Sequence, residues 1–280
     1  MFLEFIKFLF FSGLIVLVSK YILVTLLRKL SEALNLKAKT IGEIAGMATS
    51  IPELLTVGIS SFSGLIGASV TNILSSNVIN LLQYIVAIFW NKNQKLLKNK
   101  AIILSLVLVI ITIFIPIILI MTNIELDLKV VLIFIAFYFL FRVFNNYIHK
   151  SYLEKEDTKI KEIEEENENK IEKNNKKILI YIVGLIGAGI LLFIIGNLLG
   201  DNLEKLCNLF SIPQWIIGIL LGAITSIPEF ITFFESQRHY NKHSENQLLG
   251  VVEATNNLLT SNILNLFVIQ SLGILIYTFL

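Results

Sequence analysis

A five-residue block, Thr-Ser-Ile-Pro-Glu, occurs twice in the chain, at 49–53 and again at 225–229. Both copies lie inside long apolar runs, where insertion scales charge a carboxylate roughly 2.5–3.5 kcal/mol at the centre of a membrane helix. Pro52 and Pro228 have no N–H to offer the carbonyls of Ala48 and Ile224, and their rings strain the turns that hold Thr49 and Thr225. Carbonyls opened in hydrocarbon persist only where protein, water or an ion takes them up. Each block therefore gathers free carbonyls, two hydroxyls and one carboxylate within about two turns. The hydroxyls belong to Thr49 and Ser50, then Thr225 and Ser226; the carboxylates are Glu53 and Glu229. These are hard oxygen donors, suited to Ca²⁺, Na⁺ or Mg²⁺ and not to soft metals. A plain proline kink needs no glutamate four residues after threonine, and has no reason to recur.

A second pair of blocks answers the first. Asn72, Ser76 and Asn80 stand at i, i+4 and i+8, one polar stripe down a helix face, and Asn257, Ser261 and Asn265 repeat it. Asn80 and Asn265 follow their glutamates by 27 and 36 residues. The stripes are expected to coordinate an ion. Ser75, Asn77, Thr260 and Asn262, off the stripe, are expected to act as hydrogen-bonding glue between helices. Glu43, Glu235 and Glu253 fall near span ends, where a carboxylate reaches water, so a solvated role is expected. Glu253 lies one turn before Asn257 on the same stripe, where the first copy has Ala68, and is a candidate for lining a vestibule. Glu53 and Glu229 together carry −2 when ionised, which two close carboxylates in low dielectric cannot sustain unpaired. A divalent ion, two monovalent ions or two protons would each neutralise them. A site satisfied equally by competing ions suits exchange.

The elements that hold these residues follow from composition. Of 280 residues 55% are hydrophobic and only 16% charged, and mean hydropathy is +0.76. Eight apolar runs are long enough to span a bilayer: about 5–27, 40–62, 64–90, 101–121, 128–148, 178–198, 214–234 and 248–275. The first is too long for a signal peptide and lacks a small-residue cleavage site. The runs do not alternate as barrel strands do, so the expected fold is an all-α polytopic membrane protein.

The two copies match at an offset of 176 over 41–53 and 217–229, and at 185 over 72–82 and 257–267. The nine-residue difference is assigned to the Gln237–Gln247 turn. An odd number of spans separates the copies, so they cross in opposite senses, an inverted-topology repeat. The expected units are a first repeat at 1–149 with five spans, a charged linker at 150–177, and a second repeat at 178–280 with three. The linker interleaves Glu and Lys, as a solvated helix or flexible connector does. Alternate loops hold 18 lysines and arginines on one side and 3 on the other. The rich side is expected to be cytoplasmic and the N-terminus outside.

A single cysteine, Cys207, excludes an internal disulfide or a cysteine cluster. His239 and His243 stand four apart in a polar loop, read as solvated in preference to metal-binding. No nucleotide, haem or flavin motif is present, nothing points to nucleic acid, and no resident cofactor or enzyme activity is expected. Oligomeric state leaves no mark in the sequence.

The paired Thr-Ser-Ile-Pro-Glu blocks, each followed by Asn-x-x-[Ser/Thr]-Ser-Asn-x-x-Asn, resemble the two alpha-repeats of the calcium/cation antiporters, the sodium/calcium exchanger superfamily. The resemblance implies that Glu53 and Glu229 are central carboxylates and that Thr49, Ser50, Thr225 and Ser226 give hydroxyl or carbonyl oxygens. It adds Gly46 and Gly222 as backbone carbonyls of sodium sites, with Ser76, Asn80, Ser261 and Asn265 completing the cluster. It implies a plasma-membrane antiporter for Ca²⁺ with Na⁺, or with H⁺. Two departures stand out. Family members often carry a third acidic residue at one or both of the Asn80 and Asn265 positions, and the family has ten spans against eight here. The chain is either part of a longer sequence or a shortened form, and a transport-inactive assembly protein is the reading from another class.

Overall fold

The computed structural model describes residues 2–34, 36–122, 124–153, 175–210, 213–242 and 247–280, and among them there is no strand. The connector from 154 to 174 and His243 lie outside the described residues. The chain begins with helix α1 (Phe2–Val18), which runs through a π-helical stretch at Ser19–Val24 into α2 (Thr25–Ala33). Next come α3 (Ala38–Thr49), α4 (Ile51–Phe62), α5 (Ile66–Trp90), α6 (Lys100–Met121) and α7 (Leu128–Ile148). The second half holds α8 (Asn175–Phe210), α9 (Gln214–Thr225), α10 (Ile227–Lys242), α11 (Gln247–Leu264) and α12 (Gln270–Thr278). A π-helical stretch at Asn265–Ile269 joins α11 to α12.

Seven helical stretches among the described residues are long and apolar enough to cross a membrane. The eighth expected span, 40–62, folds as the two twelve-residue helices α3 and α4, and Lys39 and Glu43 make its first turns polar. Its counterpart, Gln214–Asn241, carries the same break but begins in apolar sequence.

Both breaks fall at the serine of the repeated block. Ser50 (φ −81°, ψ 0°) and Ser226 (φ −78°, ψ −3°) adopt the same conformation. Pro52 and Pro228 thereby become second residues of α4 and α10. In a first helical turn the missing N–H has no intrahelical partner to lose. The proline does not kink one helix; it starts a new one, with Glu53 or Glu229 in the opening turn.

The turn from α4 to α5 is tight because Gly64, at φ +74°, takes the left-handed position after the helix. Leu65 N–H then reaches Ser60 O at 2.7 Å and Gly64 N–H reaches Ser61 O at 3.1 Å. In the second half the corresponding helices are longer. Relative to α4 and α5, α10 ends four residues later and α11 starts four residues earlier. Eight of the nine extra residues thus lengthen the two helices by about a turn each, rather than sitting in a loop as expected.

The two halves interlock through glycines. A Cβ on Gly42 or Gly46 of α3 would collide with α11, at Glu253 O and, 2.7 Å away, at Asn257 O. A Cβ on Gly218 or Gly222 of α9 would collide with α5, at Thr71, and at Asn72 O 2.8 Å away. Each broken helix therefore lies backbone to backbone on the polar-stripe helix of the other half. Around this core, α7 adds aromatic packing, with Phe134, Phe137 and Phe141 all against Phe267 of the π-helical stretch. On the opposite flank α1 pairs with α8 through Phe8, Ile15, Ala188, Leu192 and Leu199, and this apolar cluster reaches Ala48, Ile217 and Leu221.

Candidate functional site

The polar residues around Glu53 and Glu229 are organised by the two breaks. The hydroxyl of Thr49 donates to Ala45 O at 3.0 Å and that of Ser50 to Gly46 O at 2.9 Å. In the second copy Thr225 donates to Leu221 O at 3.0 Å and Ser226 to Gly222 O at 2.7 Å. Each hydroxyl proton is thus spent on the turn behind it, leaving oxygen lone pairs as acceptors. Gly46 and Gly222 carbonyls serve as those acceptors, and the missing Cβ atoms let the opposite helix close in.

Glu53 and Glu229 are both fully buried. Each begins a helix, where the unpaired N–H groups and the positive end of the helix dipole favour a carboxylate. Ser76 of α5 and Thr225 of α9 stand beside Glu53. Ser261 of α11 donates to Glu229 Oε1 at 3.1 Å and lies 3.0 Å from the Ser50 hydroxyl of the other half. Ser76 likewise comes within 3.5 Å of Gly222 O and of the Thr225 hydroxyl. Each stripe serine so touches both halves.

The asparagines form a closed network whose orientations follow one from another. Asn77 Nδ2 donates to Asn262 O at 3.3 Å, and Asn262 Nδ2 donates to Asn77 O at 3.2 Å. A carbonyl only accepts, so both amides must present nitrogen there and oxygen elsewhere. Those oxygens are taken up in turn. Asn265 Nδ2 donates to Asn77 Oδ1 at 3.3 Å, and Asn80 Nδ2 donates to Asn262 Oδ1 at 3.4 Å. Asn80 and Asn265 must therefore keep their own oxygens free. One turn further out, Asn72 donates to the Thr56 hydroxyl at 2.7 Å and Asn257 to that of Thr232 at 2.6 Å. Thr232 donates to Glu229 O at 2.8 Å, and Thr56 to Pro52 O at 2.9 Å with Glu53 O at 3.2 Å.

Around the two glutamates the result is a group of unsatisfied acceptors. Glu53 Oε1 and Oε2, Glu229 Oε2, and the Oδ1 atoms of Asn80, Asn257 and Asn265 are buried with no hydrogen-bond partner in the protein. All six are acceptors. Buried polar atoms without partners are rare and costly, and a set consisting of oxygens alone is complementary to a hard cation. Among the described residues no three His, Cys, Asp or Glu side chains gather anywhere, so a soft or tightly retained metal has no cage.

All fourteen sequence candidates thus lie in one buried region where the two halves meet, and none falls outside it. Asn77 and Asn262, expected as glue, do hold α5 to α11, and they also orient Asn80 and Asn265. Thr56 and Thr232 escaped the sequence reading, although the repeat shows them: the block continues three residues to a threonine in both copies. Of the acids expected in water, Glu253 is buried and Glu43 is only partly exposed. Glu253 is 1% exposed and paired with Arg28, and Glu43 is held by Arg142 at 3.2 Å and Lys39 at 3.8 Å.

The family model described as sodium/calcium exchanger protein matches residues 5–146 and 180–280, one block on each side of the polar connector. Among solved structures, the sodium-calcium exchanger NCX_Mj is similar at a TM-score of 0.53 and 21% identity, over 99% of this chain and 84% of that one. At this identity the likeness shows a shared fold. No curated protein matches the sequence.

Proposed function

Since the chain belongs to the sodium/calcium exchanger protein family, and is therefore a multi-pass membrane cation antiporter, we propose that it carries out Na⁺/Ca²⁺ exchange at the buried cluster around Glu53 and Glu229. The observation that carries this reading is the set of buried oxygen acceptors around Glu53 and Glu229, drawn from two carboxylates and three asparagines, that have no hydrogen-bond partner. One Ca²⁺, or two Na⁺, would balance the two charges, so neither ion need share the site with the other. Glu53, Glu229 and the hydroxyl or carbonyl oxygens of Thr49, Ser50, Thr225 and Ser226 would hold Ca²⁺. Asn80, Asn265, Ser76 and Ser261 would extend the neutral oxygen set for Na⁺, with Asn72 and Asn257 bracing the threonines behind it. Gly46 and Gly222 would allow the approach of helices that brings the ligands together.

Alternating access follows from the charge balance: the empty, doubly charged cluster is the costly one to carry across hydrocarbon, and the filled one is neutral. In this reading residues 1–149 and 178–280 form two inverted units joined by the connector. The lysine-rich face is cytoplasmic and the plasma membrane is the location. The test is Ca²⁺ flux into proteoliposomes under an imposed sodium gradient, then under a proton gradient without sodium. Flux on sodium alone supports the proposal. Flux on protons alone would make the chain a cation/proton antiporter, and no flux on either would leave an assembly protein.

A further inference from the structure

One buried acid stands outside that cluster. Glu253 sits two turns before Ser261 on α11, about 12 Å nearer the lysine-rich face, and is 1% exposed. Two rungs join α11 to α10 here at one-turn spacing: Asn257 donates to Thr232 at 2.6 Å, and Ser236 donates to Glu253 Oε1 at 2.6 Å. Arg28 Nη1 approaches the same Oε1 at 3.2 Å, its side chain 22% exposed. Glu253 Oε2 and Asn257 Oδ1 are buried without hydrogen-bond partners. Arg28, Thr232 and Glu253, with Val24, Ile41 and Ala45, line a cavity of about 20 Å³, room for roughly one water.

We propose that Glu253, with Ser236, Thr232 and Asn257, forms an access site for a hard cation between the lysine-rich face and the central cluster, and that the Arg28 guanidinium competes for it. This rests on the exchanger reading and deepens it. The ladder leads toward Glu229: Asn257 braces Thr232, which hydrogen-bonds Glu229 O. A cation that displaces Arg28 from Glu253 meets one carboxylate and neutral oxygens, with space for a water it retains. Displacement also removes the ion pair that ties α2 to α11, because Arg28 lies on the former and Glu253 on the latter. The other half has no such acid. The positions equivalent to Ser236, Thr232 and Asn257 are Ser60, Thr56 and Asn72, but Glu253 is matched by Ala68. The Ser60 hydroxyl there is buried and unpartnered, so that route is polar yet uncharged. The two faces are thus built to capture cations unequally.

In vesicles of determined orientation, Arg28→Gln is expected to lower the half-saturating Ca²⁺ concentration on the lysine-rich face by about tenfold, and Glu253→Gln to raise it there, with the opposite face unchanged in both. Equal shifts on both faces, or none, overturn the proposal. A second measurement does not depend on transport. In the purified Glu53→Gln/Glu229→Gln chain, calorimetry with Ca²⁺ alone should retain one weak site, roughly millimolar, which Arg28→Gln tightens and Glu253→Gln removes. No residual binding, even with Arg28→Gln added, overturns the access site although the native chain exchanges. Residual binding in a chain that fails to exchange upholds the access site while the exchanger reading falls.

Discussion

Asn77 and Asn262 occupy equivalent positions in the two repeats, and each donates its side-chain amide to the other's backbone carbonyl. The pair marks the local two-fold relation between the halves and sets the orientation of Asn80 and Asn265. Asn77→Leu removes a donor from Asn262 O and an acceptor from Asn265 at once. The expected loss is about 2–4 kcal/mol, from buried groups left unsatisfied. Because Asn265 is then free to turn, sodium affinity should fall as well. Thermal melting in detergent with sodium titration checks both; an unchanged melt would mean water replaces the pair.

The glutamates should act as one unit. Glu53→Gln and Glu229→Gln are each expected to weaken Ca²⁺ binding by about a hundredfold or more, since each removes half the charge that balances the ion. Calorimetry showing undiminished affinity in either variant would disprove a shared site.

Protons should oppose calcium. Lowering pH protonates carboxylates that Ca²⁺ needs ionised, so binding releases protons and affinity rises with pH until both are free. The rise should approach tenfold per pH unit for one proton displaced and about a hundredfold for two. Calorimetry in buffers of different ionisation enthalpy counts them. An affinity flat across the acidic range contradicts the carboxylate cluster whichever ion drives transport.

The glycines discriminate packing from flexibility. Gly46→Ala would place a methyl 2.7 Å from Asn257 O, and Gly222→Ala one 2.8 Å from Asn72 O, both backbone atoms that cannot swing aside. Each should lower the melting temperature and weaken Ca²⁺ binding by moving a stripe helix outward. Gly187→Ala meets nothing within 4 Å and should be neutral, or stabilising by up to about 1 kcal/mol from helix propensity. If all three behave alike, close approach is not what these glycines provide.

These contrasts show what the sequence carries. The helices, the repeat and both glutamates are legible because apolar length and a doubled motif are local signals. The partners are not. Spacing puts Ser76 and Asn80 on one face of α5, but says nothing of α9 lying there instead of α3. Only the folded chain brings Arg28 to Glu253, 225 residues away, and turns an acid expected in water into a buried, paired one. The same holds for Asn77: off the stripe by spacing, it is central because its equivalent stands opposite. Thr56 and Thr232 were within reach, had the repeat been followed three residues past the glutamate.

Asn265 offers the sharpest test of the network. Its Nδ2 donates to Asn77 Oδ1, and Asn77 cannot turn, because its own Nδ2 is committed to Asn262 O. Asn265→Asp therefore sets a carboxylate oxygen where a donor stood, about 3.3 Å from another acceptor, and adds a third negative charge to the cluster. A further cation relieves both strains. The expected result is a variant less stable than the native chain in choline buffer, yet stabilised more by added sodium, with a steeper Hill slope for sodium in exchange. Asn265→Ala removes the free Oδ1 as well as the donor, so sodium binding should weaken more than calcium binding, which relies chiefly on the carboxylates. Melting curves in choline and sodium, with sodium Hill slopes for both variants, decide it. Unchanged slopes with transport intact would put Asn265 outside the ion cluster and leave it a residue that only packs α11 against α5.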